Sequence, residues 1–220
     1  INVEQGATGF TKLSQCGFNT WSGGVVNTGA VIFNTVALSS FVVDRCYGTV
    51  QSGGAVLNFG LTNTGQGLVK NSRFDGVSSS VRSVSVTPVS IVYCDLINAT
   101  AGIVETTGNV IINCIFAGNA ADRDISGTVS TTNFTYCAYT NSNANPGTGS
   151  ITITAARTFC DPTNYYISPA SQTLNAGVSI DGVTGVDIGI NGVKQGSANI
   201  LGMGCNPYSL ALCGGYGVGK

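Results

Sequence analysis

Histidine is missing altogether from this chain of 220 residues. Neither a Ser-His-Asp nor a Cys-His nucleophile can be assembled without it. A structural zinc site is disfavoured on the same ground, because no Cys-x-x-Cys pair offers a substitute. Charge is nearly as scarce. Charged residues make up 9% of the chain, against roughly 25% in an average soluble domain. Nine Lys plus Arg balance ten Asp plus Glu for a net charge of −1, and no basic run occurs. Phosphate neutralisation has little to work with, so no nucleic-acid partner is expected. Uninterrupted apolar stretches all fall well short of the roughly 18 residues a membrane helix needs, so no membrane span is expected. The Ala-, Glu-, Lys- and Leu-rich runs that favour helix are missing too. The first residues, Ile1-Asn2-Val3-Glu4, carry neither an initiator Met nor a secretory leader pattern. A removed leader and a piece of a longer chain both fit that start.

What is present points to an all-β chain. Hydrophobic residues reach 43%, enough for a buried core, and the polar share is carried by Ser, Thr, Asn and 31 Gly. These are strand-edge and turn residues. Eight cysteines give the organising signal. SQCGFNT at Cys16, DRCYGTV at Cys46, VYCDLIN at Cys94, INCIFAG at Cys114, TYCAYTN at Cys137 and TFCDPTN at Cys160 align, with Ser72 of VKNSRFDG standing in between. Successive steps are 30, 26, 22, 20, 23 and 23 residues. The pairs Gly23-Gly24 and Gly53-Gly54 each begin seven residues after a cysteine, which keeps the same phase. Both pairs read as bends, since no Lys-Ser/Thr or following helix accompanies them to form a phosphate cradle. No cofactor is expected.

Within a unit, short alternating apolar runs such as Val110–Phe116 end in bend residues, Ala117-Gly118-Asn119 or Ile97-Asn98-Ala99. Strand, bend, strand in about 23 residues with no helical segment is one coil of a β-solenoid. Roughly eight coils about 4.8 Å apart would make a rod on the order of 40 Å long. Residues 1–160 are expected to form these rungs. Residues 161–220 lose the period and are expected to form a C-terminal capping or attachment segment, ending in the Gly-rich run from Cys213 to Lys220.

The stretches Gly67–Gly76 and Val110–Asn119 resemble the repeats of the pectin-lyase-like right-handed parallel β-helix superfamily, which read loosely as apolar-x-Asn-Cys/Ser-x-Phe-x-Gly/Asn. The resemblance spans about residues 10–160. It implies a single-stranded parallel β-helix with the Cys or Ser inside and Asn closing a bend. A second resemblance, to the closing segment of bacterial surface β-helices, lies in Asn164–Ala170, Leu174–Gly177 and Val186–Gly189. That segment usually ends Asp-Ile-Gly-Ala-aromatic-Glu, whereas here Ile190 and Asn191 follow Asp187-Ile188-Gly189. The superfamily contains lyases, hydrolases, adhesins and phage proteins, so the fold alone selects no function.

In-register cysteines on adjacent parallel strands point the same way, which fits the S–S dihedral poorly. Cys16, Cys46, Ser72, Cys94, Cys114, Cys137 and Cys160 are therefore expected to form a ladder of reduced, buried side chains. Cys205 and Cys213 lie outside it and are candidates for a local disulfide. The densest acidic cluster is Asp122-Arg123-Asp124, with Asp95 and Asp75 on other coils as further weak catalytic candidates. Asp75 and Asp95 sit three and one residues after their rung positions and are not expected to share a face by simple stacking. A solvated turn is the expected role of Asp122 and Asp124. The Gly-His-Gly and Arg-x-Lys of β-helical polygalacturonases are missing, though a carboxylate pair alone suffices for glycosidase chemistry. Trp21 and the tyrosines at 93, 136, 139, 165 and 166 are candidates for a sugar-binding strip, or for core and loop packing.

The expected function is a structural or adhesive β-helix on a virion exterior, as capsid decoration or tail component. Expected partners are further copies of itself, a trimer included, other virion or surface proteins, and glycans. The alternative is a cell-surface or secreted β-helix that binds or cleaves polysaccharide. Reduced thiols and the missing leader pattern favour the first.

Overall fold

The computed structural model describes residues 2–4, 11–22, 29–34, 40–52, 55–59, 67–76, 79–83, 89–98, 101–105, 109–119, 125–127, 134–140, 147–154, 159–161, 166–168, 171–184, 186–187, 194 and 203–204. Among them there is no helix, and hence none long and apolar enough to cross a membrane. The strands come in successive rounds of three. The first round is β1 (Asn2–Glu4), β2 (Thr11–Ser14) and β3 (Gly17–Ser22); the second is β4 (Gly29–Asn34), β5 (Phe41–Asp44) and β6 (Tyr47–Ser52). The third is β7 (Ala55–Phe59), β8 (Gly67–Lys70) and β9 (Arg73–Gly76); the fourth is β10 (Ser79–Ser83), β11 (Val89–Val92) and β12 (Asp95–Ile97). The fifth is β13 (Ala101–Glu105), β14 (Val110–Ile112) and β15 (Ile115–Ala117); the sixth is β16 (Ile125–Gly127), β17 (Phe134–Thr135) and β18 (Ala138–Tyr139). Then follow β19 (Ile151–Thr152), β20 (Phe159–Asp161) and β21 (Tyr166–Ile167).

Each round contributes its three strands to three different sheets, always in the same order. The first sheet runs β1-β4-β7-β10-β13-β16, the second β2-β5-β8-β11-β14-β17, and the third β3-β6-β9-β12-β15-β18-β19. All the pairings in these sheets are parallel, whereas β20 and β21 form a separate antiparallel pair. Parallel neighbours twenty or more residues apart need a long return path, which the intervening strands of the other two sheets supply.

The described core residues come from the second and third sheets, where period-two alternation turns one column of each sheet inward. In the second sheet Leu13, Val43, Val69, Ile91, Ile111 and Phe134 stack in register. In the third, Gly48, Phe74, Leu96, Phe116 and Tyr139 do the same. Apart from Leu13 and Gly48, these residues belong to one buried cluster, with Leu13 packed against it. Phe116 and Phe134 pack tilted, with centroids 5.5 Å apart, a favoured aromatic arrangement.

Candidate functional site

The second and third sheets meet at a sharp bend, repeated in register once per round. Its first residue takes positive φ every time: Gln15 (55°), Arg45 (52°), Asn71 (50°), Tyr93 (50°), Asn113 (54°), Tyr136 (50°) and finally Gly149 (71°). The left-handed region is costly for residues with a side chain. Here the surrounding ladder holds it in place. Gln15 N–H donates to Asp44 O (3.0 Å), Arg45 N–H to Lys70 O, Asn71 N–H to Val92 O and Tyr93 N–H to Ile112 O (3.2 Å each). The residue after the bend is the ladder position. Its carbonyl accepts from the next round, as in Tyr47 N–H to Cys16 O and Ile115 N–H to Cys94 O (2.9 Å each).

Each ladder side chain turns back to the carbonyl two residues earlier. Cys94 Sγ donates to Val92 O (3.3 Å), Cys114 Sγ to Ile112 O (3.4 Å) and Cys137 Sγ to Thr135 O (3.2 Å). Ser72 Oγ donates to Lys70 O at 2.7 Å and accepts from Cys46 N–H at 3.0 Å. Cys16, Cys46, Cys94, Cys114 and Cys137 are all free thiols. Burial pushes the Cys46 thiol up to about 11. Burial, and the Cys114 thiol beside it, push Cys137 well above the usual thiol range. Thiols so shifted are poor nucleophiles near neutral pH. Cys46 and Cys137 are thereby held as protonated, packed thiols.

Cys160, expected at the seventh ladder position, lies in β20 of the antiparallel pair. Ser150 follows Cys137 on the ladder instead: its Oγ accepts from Cys137 N–H at 3.1 Å, and Ile151 N–H donates to Cys137 O at 2.8 Å. The turn 147–150 reaches this place after only 13 residues, which a fixed period of about 23 overlooks. Cys205, Cys213, Asp122, Asp124 and both glycine pairs lie outside the described residues.

The outer face of the third sheet carries the chemistry that is described. Gly17, Tyr47, Arg73, Asp95, Ile115, Ala138 and Ile151 form one column in register, and Thr49, Asp75, Ile97 and Ala117 form the next. Asp75 and Asp95 thus share a face, contrary to expectation. Offsets of three and one from the ladder position differ by two, which is one strand period. The Arg73 guanidinium lies over the Tyr47 ring at 5.7 Å and 3.8 Å from Asp75 Oδ2, and Asn98 Nδ2 donates to that same oxygen at 3.3 Å. Asp95 is buried, and its Oδ1 stands 2.4 Å from where a Cβ on Gly204 would be. With φ at 90°, only glycine fits at 204.

Farther along, the same face becomes apolar. Ile97, Ile115, Ala117 and Ala138 form a second buried cluster with Ile153, Ile167 and Met203, against which Leu174 and Ala176 pack. The described part of the C-terminal segment therefore lies along the flank of the rounds. Val178 clasps Asn113: its N–H donates to Asn113 Oδ1 at 2.9 Å, and Asn113 Nδ2 donates to Val178 O at 2.7 Å. Tyr93 hydroxyl stands 2.9 Å from Thr184 Oγ1, and Gly204 N–H donates to Asn113 O at 2.7 Å. Asp187 closes the run by pairing with Lys70 and accepting from Asn71 Nδ2 at 3.2 Å, while Asn71 Nδ2 also reaches Asp44 Oδ1 at 3.2 Å.

Asn71, Tyr93 and Asn113 precede the ladder position and hold the returning segment. Asn71 and Asn113 occupy the Asn of the repeat pattern, but nothing in that pattern announced their hold on the C-terminal segment. Among the described residues the tyrosines form no strip: Tyr139 joins the inner core, and Tyr93 and Tyr136 pack against the C-terminal segment and its cluster. The side chains of Trp21, Tyr165 and Tyr166 lie outside the described residues. Among the described residues no group of three or more Cys, Asp or Glu is placed to hold a metal ion. No family model, curated protein sequence or solved structure matches the chain.

Proposed function

We propose that the chain is a right-handed, single-stranded parallel β-helix of about eight coils, related to the pectin-lyase-like superfamily, that acts as a structural or adhesive element on a virion exterior. The fixed succession of three parallel strands per round supports the architecture, and parallel crossovers are right-handed in nearly every known case. The functional reading rests on one observation: three of the described carboxylates, Asp44, Asp75 and Asp187, are engaged in holding this chain together. Asp75 is bound to Arg73 and Asn98, Asp187 to Lys70 and Asn71, and Asp44 to Arg45 and Asn71. A low-charge surface suits association with further copies or other particle proteins.

The shared face of Asp75, Asp95 and Arg73 favours a second reading, a β-helix that binds or cleaves polysaccharide. Both are tested by measuring solution mass while incubating the full chain with neutral and acidic polysaccharides and assaying new reducing or unsaturated ends. The structural reading expects a defined oligomer and no product. Product that disappears in Asp75→Asn would sink that reading and establish the second.

A further inference from the structure

We propose that Asp181 is a site of spontaneous main-chain isomerisation, in which Gly182 closes a succinimide ring on the Asp181 carboxyl and reopening leaves an isoaspartyl linkage. Of the eight aspartates, only Asp75 and Asp181 precede a glycine, the neighbour that hinders such closure least because it carries no Cβ. The fold separates the two. Asp181 and Gly182 are the exposed centre of a tight turn, in which Val183 N–H donates to Ile180 O at 3.1 Å and Thr184 N–H to the same oxygen at 3.0 Å. Gly182 takes a φ of 74°, and a Cβ placed there would meet nothing within 4 Å. Among the described residues neither the Asp181 carboxylate nor the Gly182 N–H has a hydrogen-bond partner. The peptide between them is free to turn toward the carboxyl. Asp75 is held instead: its Oδ2 lies 3.8 Å from Arg73 and accepts from Asn98 at 3.3 Å, and Gly76 is paired in register with Val50 on the neighbouring strand.

The reaction balances without a co-reactant. The Gly182 nitrogen attacks the side-chain carboxyl carbon of Asp181 in its protonated form, a C–N bond forms, and the amide proton leaves with the carboxyl hydroxyl as water. Water then opens the five-membered ring at either carbonyl. Attack at the side-chain carbonyl restores the aspartate. Attack at the main-chain carbonyl routes the chain through the Asp181 β-carbon and leaves the α-carboxyl free. The product has the original mass and one more main-chain carbon between Ile180 and Gly182. The turn lengthened in this way carries Thr184, whose Oγ1 accepts from Ile180 N–H at 2.8 Å and stands 2.9 Å from the Tyr93 hydroxyl. Isomerisation therefore loosens one of the contacts that hold the C-terminal segment to the bends.

Ageing the full chain in heavy-oxygen water, in warm neutral buffer, tests this by peptide mapping with residue-resolved fragmentation. Each ring opening adds one heavy oxygen at the residue that formed the ring. In the folded chain Asp181 is expected to take up label about ten-fold faster than Asp75, with isoaspartate accumulating at 181. In urea, where the turn and the strand are both lost, the two are expected to label at similar rates. Asn191-Gly192, outside the described residues, closes the same ring with loss of ammonia and is told apart by its mass change in ordinary water. Equal labelling of Asp75 and Asp181 in the folded chain, or none at Asp181, overturns the proposal. So does a ten-fold gap that persists in urea, because local sequence would then be its cause. Asp181→Glu removes the five-membered closure at an exposed position and is expected to abolish label at 181. Amide exchange at Thr184 should quicken with age in the unsubstituted chain and stay constant in Asp181→Glu. A Thr184 amide that is unchanged in isomerised chains overturns the loosening.

Discussion

At the residue scale, each bend sets a strained main-chain residue before a small buried group that can donate a hydrogen bond. Cysteine suits the second place because its thiol is compact, apolar enough for burial and still able to reach the carbonyl two residues back. Serine does the same at 72, and at 150 its Oγ accepts from Cys137 N–H. This role has a consequence at alkaline pH. The folded Cys46 thiol titrates near 11 instead of 9 because burial disfavours the thiolate. Below pH 9 the thiol is protonated in both states, and its contribution to stability is complete. Between pH 9 and 11 the unfolded chain releases the proton while the folded chain keeps it, so stability falls as pH rises. Two pH units correspond to about 3 kcal/mol. Urea titrations at pH 8 and pH 10.5, under reducing conditions, should show a loss of about 2 kcal/mol, since pH 10.5 lies inside that window. The loss should shrink in Cys46→Ser. Tyr93, also raised by burial, adds to the decline above pH 10.

At the element scale, what distinguishes one strand from the next is how each column fills the space beside its neighbours. Phe41, Gly67 and Val89 are paired in register on three adjacent strands of the second sheet. The Phe41 ring occupies the space above Gly67, and a Cβ there would stand 2.0 Å from Phe41 Cζ. Gly67→Ala should therefore destabilise the fold by about 1–3 kcal/mol, the usual cost of overpacking. Trimming the ring by Phe41→Leu should recover part of that loss in the double variant, as read by denaturant midpoints. If Gly67→Ala leaves stability unchanged, the stacking of Phe41 on that glycine is wrong. The repeat announced such strands through their alternation. It could not announce the pairing of a large residue on one round with none on the next, because complementarity of size joins residues 26 positions apart.

At the scale of the molecule, two buried clusters are built on the same sheets, an inner core and an outer one beneath the returning C-terminal segment. The five described ladder thiols lie at or near the inner core. Cys46, Cys94, Cys114 and Cys137 should consequently stay unreactive toward a thiol reagent in the folded protein and react together at the unfolding midpoint. Thiols that react one by one well below the midpoint would refute a single cooperative core. Much of this arrangement was legible beforehand. The absence of helix-forming runs and the spacing of the cysteines determined an all-β chain of repeating units, because a repeated local pattern dictates the same local conformation each time. The phase of Cys16, Cys46, Ser72, Cys94, Cys114 and Cys137 was set by the same pattern. The shared face of Asp75 and Asp95 follows from their ladder offsets and was legible in the same period. The position of Ser150 and the return of the C-terminal segment along the flank were decided only by the tertiary structure. That return depends on contacts between unlike residues far apart in the chain, such as Val178 with Asn113 and Asp187 with Lys70, and such contacts leave no period for a sequence to display.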